Sequence, residues 1–180
     1  MDWLSRWKEG KTGWHETSGN SALHRFWPTL ASGSRVLVPL CGKSPDLYWL
    51  SQQGLDVTGV ELSEIAARAF FEEGGIDFEV GEFNGQTRYS GLDQAITIVV
   101  GDYFQFLDTP FDALYDRASL IALPLEKRPE YIRHTRSLLH PKAKMLLVTL
   151  EYDQSLGHGP PFSVQADEIR QYWPDARRVH

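Results

Sequence analysis

A doubly wound α/β domain, Rossmann-like and built on one mostly parallel sheet, is the fold this sequence predicts, and three observations predict it. Apolar runs of strand length, among them VLVPL, VTGV, ITIVV and MLLVTL, alternate with segments of helical spacing. The clearest instance, Arg35 to Glu64, passes from a strand through a small-residue turn and a helix into a second strand ending on an acid, Glu61. That acid lies 19 residues after Gly42, close to the spacing of about 20 at which a nucleotide-binding βαβ unit sets a carboxylate against a ribose.

The elements follow in order. Trp3 to Lys8 has the spacing of a short amphipathic helix, ended by Gly10 and Gly13. Asn20 to Leu30 reads as a second helix, capped by Asn20 or Ser21. Val36 to Leu40 is the first strand. Ser44 to Gln53 is a helix, with Pro45 near its first position and Gly54 just beyond its end. Val57 to Val60 and Glu64 to Glu73 are the next strand and helix. Gly74 to Gln94 is glycine-rich and polar, a loop carrying a small hairpin. Ile96 to Val100 is the third strand, and Phe111 to Tyr115 the fourth, ending at Asp116. Glu126 to Leu139 spaces Ile132, Leu138 and Leu139 as a helix does, before Pro141. Lys144 to Leu150 is a fifth strand, apolar enough to be buried on both faces, and Val164 to Trp173 a last helix. No repeat or linker interrupts the pattern, so residues 1–180 read as a single domain.

Composition narrows the function. A net charge of −6 argues against a nucleic-acid backbone as partner, which needs a basic surface. No stretch approaches the ~18 consecutive apolar residues of a membrane span, and the polar start MDWLSRWKEGKTGWHE is unlike a secretory signal. Cys41 is the single cysteine, which excludes an internal disulfide and fits a reducing cytoplasm. The histidines at 15, 24, 134, 140, 158 and 180 lack metal-ligand spacing, so no metal is expected.

In a doubly wound sheet the ligand sits beyond the carboxyl ends of the strands, where Gly42, Glu61, Asp102 and Asp116 all fall. Three nucleoside cofactors compete for that rim. The segment CGKS invites a phosphate-binding loop, yet the glycine this would need five positions before Gly42 is Leu37, and Pro39 stiffens the approach. A dinucleotide wants GxGxxG, and Gly42 stands alone before Lys43, Ser44 and Pro45. S-adenosylmethionine carries no phosphate. It needs a close backbone approach, an acid for the ribose and a polar group near the adenine, which Gly101-Asp102-Tyr103-Phe104 supplies. The third option fits best.

At these residues the chain resembles the bacterial thiopurine S-methyltransferases. The resemblance rests on WLSRWKEGKTGWH (3–15), VLVPLCGKSPDLYWL (36–50), GVELSEIA (59–66) and GDYF (101–104). It continues in YDRASLIALP (115–124), YIRHTRSLL (131–139) and LEYDQSLGHGPPFSV (150–164). It implies a class I methyltransferase fold that moves the methyl of S-adenosylmethionine to the sulfur of a small-molecule thiol, or to a selenium or tellurium species. Residue by residue it implies cofactor contacts at Trp7, Leu40, Glu61 and Arg117, with Trp3, Gly42, Asp102 and Tyr103 at neighbouring positions of the same pocket. Trp14, Arg117 and Phe162 match positions beside the acceptor. The family's closing antiparallel strand pair falls beyond His180, so the expected sheet lacks it.

Sulfonium methyl transfer is a direct displacement with a neutral leaving group, and a thiol acceptor is partly ionised near neutral pH. Positioning can then supply most of the acceleration, and no dedicated catalytic residue is expected. Aromatic faces suit a cationic sulfonium, and four of the six tryptophans lie in the first 27 residues. Residues 1–20, which hold three of these and are broken by Gly10, Gly13 and Gly19, read as a lid over the cofactor. Plainer readings stand beside these. Trp3 and Trp7 could be one apolar helix face packed on the core, Asp102 and Asp116 could cap turns, and Arg117 could pair with either. Cys41 reads as a small packed residue, His15 and His134 as surface or satisfied histidines, and Lys127, Arg128, Arg133 and Arg136 as the wet face of a helix. A methyltransferase fold that binds cofactor or partner without turnover is the alternative function, and a nicotinamide oxidoreductase a distant third.

Overall fold

The computed structural model describes residues 2–13, 15–117 and 119–179. The chain begins with α1 (Trp3–Lys8) and α2 (Ser21–Phe26), followed by β1 (Arg35–Pro39), α3 (Asp46–Gln52), β2 (Asp56–Glu61) and α4 (Glu64–Gly74). A hairpin of β3 (Phe78–Phe83) and β4 (Gln86–Gly91) comes next, then β5 (Ile96–Val100) and β6 (Phe111–Asp116). The described chain closes with α5 (Arg128–Ser137), β7 (Leu139–Leu147) and α6 (Ala166–Tyr172).

The seven strands lie in one sheet in the order β3-β4-β5-β2-β1-β6-β7. Pairs β1–β2, β1–β6, β2–β5 and β6–β7 are parallel, whereas β3–β4 and β4–β5 are antiparallel. Apolar residues on both faces of the central strands demand cover on both sides. Val36 and Val38 of β1 pack with Leu23, Leu47, Leu50 and Phe71 on one face. Leu37, between them, packs on the other with Tyr131, Ile132 and Trp173. That alternation is what doubly wound means here.

Several elements differ from the sequence-based expectation. The second helix stops at Phe26 rather than Leu30, because Trp27 precedes Pro28 and turns to extended backbone (ψ 131°). The segment expected as a loop with a small hairpin holds two six-residue strands, joined by Asn84 and Gly85, both at positive φ. β7 is not buried on both faces: Leu146 is buried, but among the described residues β6 is its sole strand partner, and Lys144 and Leu150 are exposed. Nor is Arg128 on a wet face. Its guanidinium is buried, donating to Glu168 at 2.7 Å and to the carbonyls of Leu123 and Ser163. Among the described residues no helix is long and apolar enough to cross a membrane.

Candidate functional site

Where β1 ends the chain turns sharply. Leu40 sits at φ 47° and Gly42 at φ 56°, and the Cys41 N–H still donates to Val60 O at 3.1 Å. A non-glycine residue at positive φ is held there at a cost of roughly 1–2 kcal/mol. What holds the turn is Glu61. Its Oε2 accepts the Gly42 N–H and its Oε1 the Ser63 N–H, each at 2.8 Å. Ser63 in turn caps α4 through Ala66 N–H. Glu61 is buried, and burial pushes its carboxyl above the ordinary range, against the lowering pull of the Ser63, Gly42 and Leu62 N–H groups.

The turn opens a cavity of about 710 Å³, within the ~300–1,000 Å³ typical of small-molecule sites. Trp3, Trp7, Leu40, Gly42, Glu61, Asp102, Tyr103 and Arg117 all line it, so eight of the residues singled out from sequence converge on one space. Gly42 has a steric reason as well as a conformational one, since a Cβ there would stand 3.2 Å from the Trp7 ring. Tyr103 contributes its ring, while its buried hydroxyl shares a 2.9 Å hydrogen bond with Thr135 Oγ1. Asp102 is exposed and caps the turn at Phe104 N–H with one oxygen.

Other assignments shift. Phe162 is not part of the cavity wall. Its ring tucks against Gly159, and the neighbouring Pro160 and Pro161 line the space instead. Trp14 lies outside the described residues. Arg117 pairs neither with Asp102 nor with Asp116; its guanidinium meets Glu16 of the N-terminal segment at 2.5 Å. Asp116 is structural, buried, and accepts from Ser119, Leu120 and the Tyr131 hydroxyl. Burial pushes its carboxyl up, opposed by those donors. Cys41 is buried, with its thiol pushed up by burial and by the Glu61 charge, and it fills the room that Gly59 leaves: a Cβ on Gly59 would stand 2.6 Å from its Sγ.

Sequence reasoning missed three groups of contributors. His15, read as a surface or satisfied histidine, lines the cavity together with Glu16 and Lys43, whose ammonium is paired with Glu73 at 2.6 Å. Val148, Thr149 and Leu150 line it too, and their place just past β7 was the available signal, because every parallel strand ends on this rim. Asp46 supports the wall from behind. Fully buried, it accepts the Asn20 N–H at 2.8 Å and the Tyr115 hydroxyl at 2.7 Å, tying the N-terminal segment to α3 and β6.

The donor set suits a nucleoside without phosphates. A carboxylate offers about four acceptor positions, and two of those on Glu61 are taken by backbone N–H groups, so two remain for a diol. Among the described residues no group of three or more His, Cys, Asp or Glu could hold a metal ion.

The family model for thiopurine S-methyltransferase (TPMT) matches residues 1–180. The thiopurine S-methyltransferase of Bordetella petrii is 47% identical over 173 residues, covering 93% of this chain and 78% of that protein. That of Photobacterium profundum is 44% identical over 171 residues, covering 94% and 79%. Among solved structures, the 1,6-didemethyltoxoflavin-N1-methyltransferase of Burkholderia thailandensis, with bound 1,6-didemethyltoxoflavin and S-adenosylhomocysteine, superposes with a TM-score of 0.64. It is 19% identical and the match covers 84% of this chain and 61% of that one, so it bears on the fold alone. With its whole length matched and relatives at this identity, the chain belongs to the thiopurine S-methyltransferase family.

Proposed function

We propose that this protein transfers a methyl group from S-adenosylmethionine to the sulfur of a thiopurine or related thiol, or to a selenium or tellurium species, by in-line displacement. The convergence of eight sequence-selected residues on the cavity beside the Leu40–Gly42 turn carries the reading. S-adenosylmethionine is the cofactor. When bound, it supplies an activated methyl group on a sulfonium.

The chain's own residues divide the work. Glu61 accepts the ribose hydroxyls with the lone pairs its backbone partners leave. Leu40 and Gly42 bring main chain close to the amino-acid end, and Asp102 with the Tyr103 ring holds the adenine side. Trp3 and Trp7 offer aromatic faces to the sulfonium, worth roughly 0.5–2 kcal/mol. Arg117, with its guanidinium on Glu16, can exchange that partner for an anionic group of cofactor or acceptor at low cost. Glu16 is well exposed, and pairs of that kind are worth about 0–1 kcal/mol. Residues 1–20 act as a lid: α1 buries Trp7 alone among its side chains, and the segment is tied down through Glu16 and Asn20. Closing it removes water from the reacting sulfur.

The test is a methyl-transfer assay with a thiopurine and with benzenethiol, read by mass spectrometry of the methylated product. Titration calorimetry with S-adenosylmethionine, S-adenosylhomocysteine and NAD accompanies it. Binding of the first two without product from any thiol or selenol would leave a binding module instead of an enzyme.

A further inference from the structure

We propose that His15 is the proton acceptor for a thiol substrate, its imidazole taking the S–H proton as the sulfur attacks the methyl group. The inference rests on the thiol-methylating reading above and deepens it.

Arg6, Lys43 and Arg117 are cations with no lone pair to offer. Glu16 is committed to Arg117, and Glu61 to the Gly42 and Ser63 N–H groups. Asp102 caps its own turn with one oxygen and, in the reading above, faces the adenine side of the cofactor and not the reacting sulfur. The Tyr103 hydroxyl is bound to Thr135, and Cys41 is buried with its thiol raised. His15 remains. An imidazole is the side chain whose ordinary pKa lets its neutral form accept a proton near pH 7.

Its surroundings favour that form. Four charged groups act on the ring: Lys43 after β1, Glu73 of α4, Arg117 after β6, and Glu16 beside it in sequence. The cations pull one way and the carboxylates the other. Partial burial is the largest single influence and leaves the imidazole below its ordinary pKa. The backbone fixes the residue too, for the His15 N–H closes a turn onto Thr12 O at 2.9 Å, and the next residue clasps Arg117. The base is therefore carried on the lid and reaches the acceptor only when the lid is down.

The step balances. The S–H bond breaks and its proton goes to the imidazole, while the sulfur's electron pair forms the new S–CH3 bond. The bond from the methyl carbon to the cofactor sulfur breaks with its electrons left on that sulfur, which departs as a neutral thioether. The imidazolium then releases its proton to water.

The experiment compares the full-length parent with H15Q and H15N on two acceptors across pH 5.5–9. One is 4-nitrobenzenethiol, already ionised at neutral pH, and the other is benzyl mercaptan, largely protonated there. Calorimetry with S-adenosylhomocysteine shows that each variant is folded and binds. A second readout needs no turnover: with S-adenosylhomocysteine present, the near-ultraviolet band of a bound thiopurine reports its ionisation. On benzyl mercaptan, kcat/KM should fall near neutral pH by on the order of 10²-fold, and the acidic limb of the pH profile should move up to follow the thiol's own ionisation. The loss on 4-nitrobenzenethiol should be far smaller, and the bound thiopurine should ionise at higher pH in both variants. Equal losses on the two thiols, or no loss on either, with thiopurine ionisation unmoved, would overturn the inference. If the parent methylates neither thiol, it is the reading underneath that fails, and the inference with it.

Discussion

Replacing Glu61 by Gln separates the two jobs assigned to this carboxylate, because the change keeps the side chain's size and removes its charge. Glu61 accepts two N–H groups on different oxygens, each at 2.8 Å. A carboxamide has one oxygen and must turn its NH2 toward the other donor, so one bond is lost and two donors face each other. Hydrogen bonds to a charged acceptor are worth about 1.5–3 kcal/mol. Part of that is offset, since Gln has no charge to desolvate at a buried site. Stability in urea should therefore fall by less than the full bond. Affinity is the sharper readout: one lost ribose bond of that strength weakens S-adenosylhomocysteine binding by about 10- to 150-fold, at about 1.4 kcal/mol per decade. Burial adds a pH signature. Glu61 is held above its unfolded pKa, so its contribution to apo stability is present below the unfolded value and lost as pH rises through the folded one. Ribose donors favour the carboxylate, so cofactor affinity runs the other way. It is full above the raised pKa and falls by up to about tenfold per pH unit below it, and Glu61→Gln should flatten that profile. A dissociation constant within twofold of the parent's, in a variant that has lost stability, would refute the ribose role.

Other substitutions probe the rest of the wall. Arg117→Ala should lose activity that Arg117→Lys restores only in part, as the planar fork is gone; full rescue by lysine in a steady-state assay would reduce the role to charge. Trp7→Ala should weaken cofactor binding and abolish ligand-dependent amide protection in residues 2–13, while the apo melting temperature moves little. A loss of the roughly 3–5 kcal/mol expected for a core tryptophan would mark α1 as permanently packed. Gly42→Ala, strained at φ 56° and 3.2 Å from the Trp7 ring, should cost about 1–3 kcal/mol and lower cofactor affinity by calorimetry; unchanged stability and affinity would mean the turn adapts freely.

Much of this molecule can be read from local signals. The buried parallel strands announce themselves as apolar runs, and the Gly42-to-Glu61 spacing encodes a hydrogen bond that the fold forms. What escapes reading is long-range. Nothing local to Arg117 tells it from a partner of Asp116, because Glu16 reaches it from a hundred residues away in sequence through a segment lacking sheet or long helix. His15 is silent for the same reason: the neighbouring Glu16–Arg117 pair, distant in sequence, holds its segment at the cavity. Arg128 has the spacing of a solvated helix face, and its burial depends on Glu168 of α6 and the Ser163 carbonyl, which arrive from far along the chain, together with the Leu123 carbonyl. The Asn84-Gly85 turn, in contrast, was a legible hairpin signal whose strands proved longer than their polar composition suggests.

The buried Asp46 also constrains how the sequence can drift. Gly19 stands at φ 75°, and a Cβ there would come within 2.7 Å of Asp46 Oδ1, the same oxygen that takes the Asn20 N–H. Tyr115 holds the other oxygen. A methyl group at position 19 can be accommodated only if the carboxylate moves, and it cannot move without stranding a buried tyrosine hydroxyl. Three positions scattered over the chain thus behave as one heritable unit. In an alignment of relatives, a side chain at position 19 should travel with loss of the acid at 46 and of the hydroxyl at 115. A library randomising the three together should recover compensated triples that no single substitution reaches.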